Sequence, residues 1–171
     1  LVESRYGFYR SHSSEGPMPP NSKAGPPSRY DAFLGTSSGN YEFFDDRHRD
    51  RHLAAATVTR YATRGSASHE LKAGVEYERA TFRVEWGFPG GVAYEDYNGA
   101  PDLAVFRDVS RRRGVQTRTS VFTQDTWQLG SRLTIEPGLR LGVYHGAVNA
   151  DGVPAYDTSA ISPRIGVAWD L

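Results

Sequence analysis

Residues 120–144 read SVFTQDTWQLGSRLTIEPGLRLGVY, two extended runs flanking a tight turn. In the second run every odd position is apolar: Leu133, Ile135, Pro137, Leu139, Leu141 and Val143. The even positions, Thr134, Glu136, Gly138, Arg140 and Gly142, are polar or tiny until Tyr144 at the far end. A period of two held over that length predicts a β-strand with one oily face and one wet face. The first run ends in Asp125-Thr126-Trp127, and residues 128–132 make the connection, with Gly130 free to take a positive φ. What the oily face meets decides the fold.

Composition narrows the choice. The 171 residues carry 20 basic and 20 acidic side chains, a balance that argues against a nucleic-acid partner. The chain has no cysteine, so it has no disulfide framework, thiolate metal site or cysteine nucleophile. Hydrophobic residues make up only 38%, while aromatics reach 12% and glycines number 18, which is poor in aliphatic mass for a soluble core. No run approaches the ~18 apolar residues of a membrane helix. Barrel strands escape that test, because every second residue is polar and breaks up the apolar run. The chain opens at Leu1 without a signal-peptide pattern and reads as an interior piece of a longer protein.

Outward from the central pair the same alternation recurs. Residues 1–9 alternate, with Val2, Tyr6 and Phe8 on one side and Glu3, Arg5 and Gly7 on the other. A Pro-, Gly- and Ser-rich segment from Ser11 to Asn40 predicts an extended surface loop, with residues 40–44 a short strand climbing out of it. The charged run 45–52 leads into a strand over 53–63, and residues 64–68 form a short turn. Residues 69–88 resume the pattern: Leu71, Ala73, Val75 and Tyr77 oppose Lys72, Gly74, Glu76 and Glu78. The phase slips near residues 79–81, as a bulge would cause. Residues 89–113 form a second long excursion, in which 92–97 and 103–109 can pair as a hairpin around Asn98-Gly99. A loop is expected over 149–159, and then a last strand places Ile161, Pro163, Ile165, Val167 and Trp169 opposite Ser162, Arg164, Gly166, Ala168 and Asp170.

The connections therefore run long, short, long, short, long. Alternation of tight turns with long loops is how bacterial outer-membrane barrels are built, and ~9–11 tilted residues suffice to cross the hydrocarbon. Tyr61, Trp127 and Trp169 fall beside the short turns, and Trp86, Phe88 and Tyr144 at the opposite ends, as two interfacial girdles would require. The expected fold is all-β: about six long strands of an antiparallel up-and-down transmembrane β-barrel, with short periplasmic turns and long external loops.

The stretch SVFTQDTWQLGSRLTIEPGLRL resembles the strand-turn-strand signature of the barrel domain of TonB-dependent outer-membrane receptors. ISPRIGVAWDL resembles the Ser-Pro-Arg strand that follows in that family, and SHELKAGVEYER an upstream strand of its Oar-like branch, which often carries a carboxypeptidase-regulatory-like domain. The likeness is strongest over residues 51–171, within a partial barrel domain spanning 1–171. It implies a bacterial outer-membrane location and energised uptake of a nutrient or siderophore-like ligand. The implied partners are outer-membrane lipid, a plug domain and the TonB complex, the last two outside this chain, and a small-molecule, peptide or glycan ligand.

By the alternation, Lys72, Glu76, Glu78, Arg118, Glu136, Arg140 and Arg164 face an enclosed aqueous lumen. No catalytic, cofactor or metal site is expected. Residues 45–52 hold carboxylates and two histidines, but their mixed signs and lack of ligand spacing read as a solvated loop base. Glu95, Asp96, Asn98 and Asp102 lack the twelve-residue calcium pattern. Glu76, Glu78 and Glu85 read as ordinary wall charges, not a glycosidase pair, and Arg111, Arg112 and Arg113 as a solvated run closing a long loop. The alternative from a different class is a soluble secreted all-β binding or carbohydrate-active domain whose oily faces pack sheet against sheet.

Overall fold

The computed structural model describes residues 1–148 and 153–170. It has ten strands: β1 (Val2–Glu15), β2 (Ser28–Asp31), β3 (Thr36–Gly39), β4 (Phe44–Arg64), β5 (Ala67–Gly87), β6 (Val92–Tyr97), β7 (Ala100–Phe106), β8 (Ser110–Leu129), β9 (Leu133–Val148) and β10 (Val153–Trp169). The long strands form one six-stranded sheet in the order β1-β4-β5-β8-β9-β10, an antiparallel up-and-down meander once the excursions are set aside. The excursions build a second, four-stranded sheet, β3-β2-β6-β7.

Contacts divide the chain into two compact units. The first comprises Leu1–Tyr9, Asp50–Thr81 and Gly114–Leu171; the second comprises Arg10–Arg49 and Phe82–Arg113. They are built on opposite principles. The second has a conventional interior: Phe44 is 2% exposed, Val92 is 6% exposed, and Pro89 is enclosed as well. Among the described residues, the first unit buries no large apolar side chain at all. Apart from glycines, its enclosed residues are Thr59 and Ser120, at 3% and 1% exposure, while Leu139 is 40% and Ile165 75% exposed. Among the described residues, no second protein layer within the unit covers the oily face, so the sheet-on-sheet packing of the soluble alternative is not formed within this unit.

The register explains the alternation. Leu141 pairs with Val121 on one side and Ile161 on the other, and Leu139 with Thr123 and Pro163. Directly opposed residues share a face, so the apolar positions of three strands align into continuous rows. Arg140 falls between Phe122 and Ser162, on the other face. In β5 the exposure alternates from Leu71 to Arg79 and changes phase at Ala80-Thr81, where the sequence pattern slips.

Several boundaries differ from the sequence reading. The charged run 45–52 is not a loop base: it lies inside β4, which starts at Phe44 and runs 21 residues, while 40–43 are not extended in a strand. Charge does not end a strand whose faces are both accessible to water. Likewise β8 begins at Ser110, so Arg111, Arg112 and Arg113 belong to a strand rather than a loop end. The first excursion is not all loop either: β1 reaches Glu15, and β2 and β3 lie within it. The expected loop over 149–159 is also shorter. Residues 149–152 lie outside the described residues, but Val153 to Ser159 pair with β9, through a register shift between Pro154 and Tyr156. Pro154 belongs to a strand at the end of the sheet order, beside an irregularity, where a missing N–H is tolerated. The connections are tight: Gly65 and Ser66 alone separate β4 from β5, and Gly130, at φ +66°, opens the turn 130–132.

Glycines on the wet face make room for large neighbours. The Phe122 ring covers Gly74, Arg164 lies across Gly138, and Tyr156 covers its register partner Gly146. A Cβ on Gly74 would stand 2.6 Å from the Phe122 ring and 2.8 Å from the Ala56 carbonyl oxygen, and the latter is backbone in a strand and cannot yield cheaply. Gly74→Ala is therefore expected to destabilise the intact protein by about 1–3 kcal/mol, read by reversible unfolding in lipid vesicles; a variant at least as stable as the parent would contradict this packing.

Candidate functional site

On the wet face of the first unit, a cross-strand ionic network runs from β1 to β9. Glu76 of β5 accepts from Arg5 of β1 at 3.2 Å and from Arg140 of β9. Arg140 also donates to the buried Ser120 hydroxyl at 2.7 Å. Two residues along β5, Glu78 accepts from Arg51 of β4 at 2.8 Å and from Arg118 of β8 at 3.0 Å. Lys72 pairs with Glu70 at 2.6 Å on the same strand, Arg164 donates to Gln124, and the Glu136 side chain lies beside Gly166. All seven charged residues singled out in the sequence thus share one face, and Glu76 with Arg140 and Glu78 with Arg118 are brought together in direct contact. Exposed pairs of this kind contribute about 0–1 kcal/mol each, too little to hold the sheet. They set side-chain direction along a wetted surface, and backbone ladders hold the strands.

The six aromatics do not share one setting. Trp127 and Trp169 lie in register with Ile135 and Leu133, on the oily face beside the short turns. Tyr144 folds back over Gly142, on the wet face, and Tyr61 has the strand parity of Arg51 and Thr59. Period-two counting already places Tyr144 with the polar positions, whereas the alternation over 53–63 is too weak to place Tyr61. Trp86 and Phe88 belong to an aromatic cluster in the second unit, with ring centroids 5.4 Å apart, Phe43 at 6.5 Å from Trp86, and the Arg107 guanidinium 4.9 Å over the indole.

Sequence reasoning missed a cluster at the short-turn end of the oily face. His69 of β5 approaches Asp125 of β8 at 3.2 Å, the Trp127 indole N–H donates to the same carboxylate, and the His69 and Trp127 rings meet edge to face at 5.7 Å. The signal was present as two polar residues on apolar parity, next to a tryptophan.

The second unit has its own organising residue. Asp31, buried at the end of β2, accepts from the backbone N–H groups of Phe33 and Leu34 in its own turn and of Asn98 and Gly99 in the β6–β7 turn, at 2.7–3.2 Å. That turn has positive φ at both central residues, 51° and 79°, the primed geometry of a two-residue hairpin. The hairpin pairs 92–97 with 100–106 rather than with 103–109. Arg29 forks onto Asp96 at 2.9 and 2.6 Å and stacks 4.8 Å over Tyr94. Asp96 is therefore committed to an arginine within this sheet. Parallel pairing of β2 with β6 completes the lock between the two excursions.

An open, antiparallel sheet with an unburied oily face and a charged opposite face defines the wall of a membrane β-barrel. The comparisons agree. A family model described as "TonB dependent receptor-like, beta-barrel" matches residues 4–171, and the chain belongs to that family, whose members are outer-membrane proteins of Gram-negative bacteria. The chain is 28% identical over 159 residues to the TonB-dependent transporter Oar of Myxococcus xanthus, covering 80% of this chain and 15% of that protein. Its fold is similar to that of BauA, the ferric preacinetobactin receptor of Acinetobacter baumannii, with a TM-score of 0.64 at 16% identity over 97% of this chain and 25% of that one. These relatives are transporters and receptors rather than enzymes, and the chain spans a quarter or less of the length of either.

The backbone N–H groups of Leu34, Gly99, Asn98 and Phe33 hold the Asp31 carboxyl below its ordinary range, against the opposing effect of its burial. A depressed folded-state value stabilises above the unfolded value of about 3.9 and is lost as pH falls through the lower folded one. Exchange protection of the 92–106 hairpin should accordingly fall on acidification below about pH 4, and Asp31→Asn should flatten that dependence in hydrogen-exchange mass spectrometry; an identical acid profile in both proteins would refute the assignment.

Proposed function

We propose that this chain forms part of the wall, lumen lining and external loops of an outer-membrane TonB-dependent transporter. The observation that carries the reading is the inverted first unit, with oily rows uncovered and polar groups enclosed. Monomeric soluble proteins rarely leave apolar patches of that extent bare, and hydrocarbon is the solvent that suits them. In this reading the face bearing Lys72, Glu76, Glu78, Arg118, Glu136, Arg140 and Arg164 lines a watery lumen, where paired charges stay hydrated. Trp127 and Trp169 lie at the periplasmic interface.

Strands β1 and β10 end the sheet order, and an open edge within hydrocarbon leaves backbone groups without partners. Further strands of the whole protein supply them, toward the about 22 of barrels that enclose a plug. The plug and the TonB complex then provide energised uptake. The second unit's sheet, locked through Asp31, offers a preordered external surface to a nutrient of the small-molecule, peptide or glycan kind. BauA's ferric preacinetobactin supports a siderophore-like ligand as one such class.

The orientation is tested in the intact protein by comparing two neighbouring residues of β9. Leu139→Arg should cost about 2–4 kcal/mol in reversible unfolding from lipid vesicles, as a cation at mid-bilayer depth does, whereas Arg140→Leu should cost less, because Glu76 keeps Arg5 and the Ser120 hydroxyl can still donate. Equal costs, or the reverse order, would overturn the assignment of the two faces.

A further inference from the structure

We infer that His12, Asp46 and His48 form a binding site for a divalent transition-metal ion that clips β1 to β4 in the second unit. Asp46 and His48 are two residues apart on β4, so both project from one side of the strand. His12 comes from β1, the next strand in the sheet. Both imidazoles turn Nε2 toward the same carboxylate oxygen: His12 lies 2.6 Å from Asp46 Oδ1 and His48 lies 3.3 Å from it. The rings stack at 4.1 Å between centroids with 7° between their planes. One ligand atom from each residue lies within 4.8 Å of the others. Tetrahedral ligands with metal bonds of about 2.0–2.2 Å stand roughly 3.4 Å apart, so small side-chain rotations bring all three onto one ion.

The chemistry selects the ion class. Two imidazoles and a carboxylate suit zinc, copper or nickel, whereas calcium and magnesium require a shell of oxygens. The histidine side chains are half exposed, at 53% and 49%, which gives the ion access and leaves room for water as a fourth ligand. Lys23 stands 3.1 Å from the second Asp46 oxygen, where its positive charge opposes a cation and competes with it for the carboxylate. The spacing along β4 alone supplies two ligands; the third comes from 34 residues upstream of Asp46, and only strand pairing reveals it.

The intact protein, stripped of metal with a chelator, is titrated with Zn²⁺ by calorimetry beside His12→Ala, His48→Ala and Lys23→Met. Each histidine variant should lose one Zn²⁺ equivalent or bind it at least about tenfold more weakly, and Lys23→Met should bind it more tightly than the parent. In the unaltered protein, Zn²⁺ should shield His12 and His48 from diethyl pyrocarbonate, read by mass spectrometry, and leave His52 as reactive as before. Stoichiometry and affinity unchanged in both histidine variants would overturn the site. So would equal carbethoxylation of His12 and His48 with and without Zn²⁺ in the parent protein, a readout that does not depend on any variant folding.

Discussion

The hydrogen-bond ladder between neighbouring long strands is what the rest of the structure depends on. Hydrocarbon offers no water to satisfy a backbone N–H or C=O, so each strand crossing it must exchange those bonds with its neighbours. The registers of β8 with β9 and β9 with β10 do this almost residue for residue. Once the ladder fixes register, the period-two pattern follows, because one residue of slip would turn every leucine and arginine to the opposite face. Hydrophobic burial inside the protein has little part in the first unit; the two units follow different stability rules, one resting on its surroundings and one on Phe44, Val92 and Pro89.

Side chains on the wet face serve geometry more than stability. Arginines 5, 51, 118 and 140 converge on Glu76 and Glu78, so two carboxylates of β5 coordinate strands on either side of it. Glycines interleave with this network, and they do so where a neighbouring ring or guanidinium needs the space above the backbone. Part of the glycine content therefore has a packing cause, a face of the sheet that must hold large polar and aromatic groups edge to edge, while Gly65, Gly99 and Gly130 serve turns at positive φ.

Much of the wall was legible from residues 133–143 alone, because strict alternation has few physical solutions once a helix period is excluded. The phase slip in β5 was equally readable, since Tyr77 and Phe82 cannot share a face without it. Strand ends were not readable. The run 45–52 and the arginines 111–113 are as charged as any loop, yet they lie in strands, because a strand wetted on both sides imposes no polarity rule. The second sheet was hidden for a different reason: β2 and β6 pair in parallel across 60-odd residues, and Asp31 gathers amides from two separate turns. Nothing local in Ser28–Asp31 announces either fact. The same limit concealed His12 as the neighbour of Asp46 and His48.

The face assignment is tested most directly by a nitroxide scan through residues 133–143 of β9 in the intact protein reconstituted in lipid, with collision rates measured against oxygen, which concentrates in hydrocarbon, and a nickel chelate, which stays in water. Labels at Ile135, Leu139, Leu141 and Val143 should favour oxygen, and labels at Thr134, Glu136 and Arg140 the nickel chelate, in strict alternation. Loss of the alternation, or nickel access dominating at the leucines, would contradict a wall whose oily rows meet the bilayer.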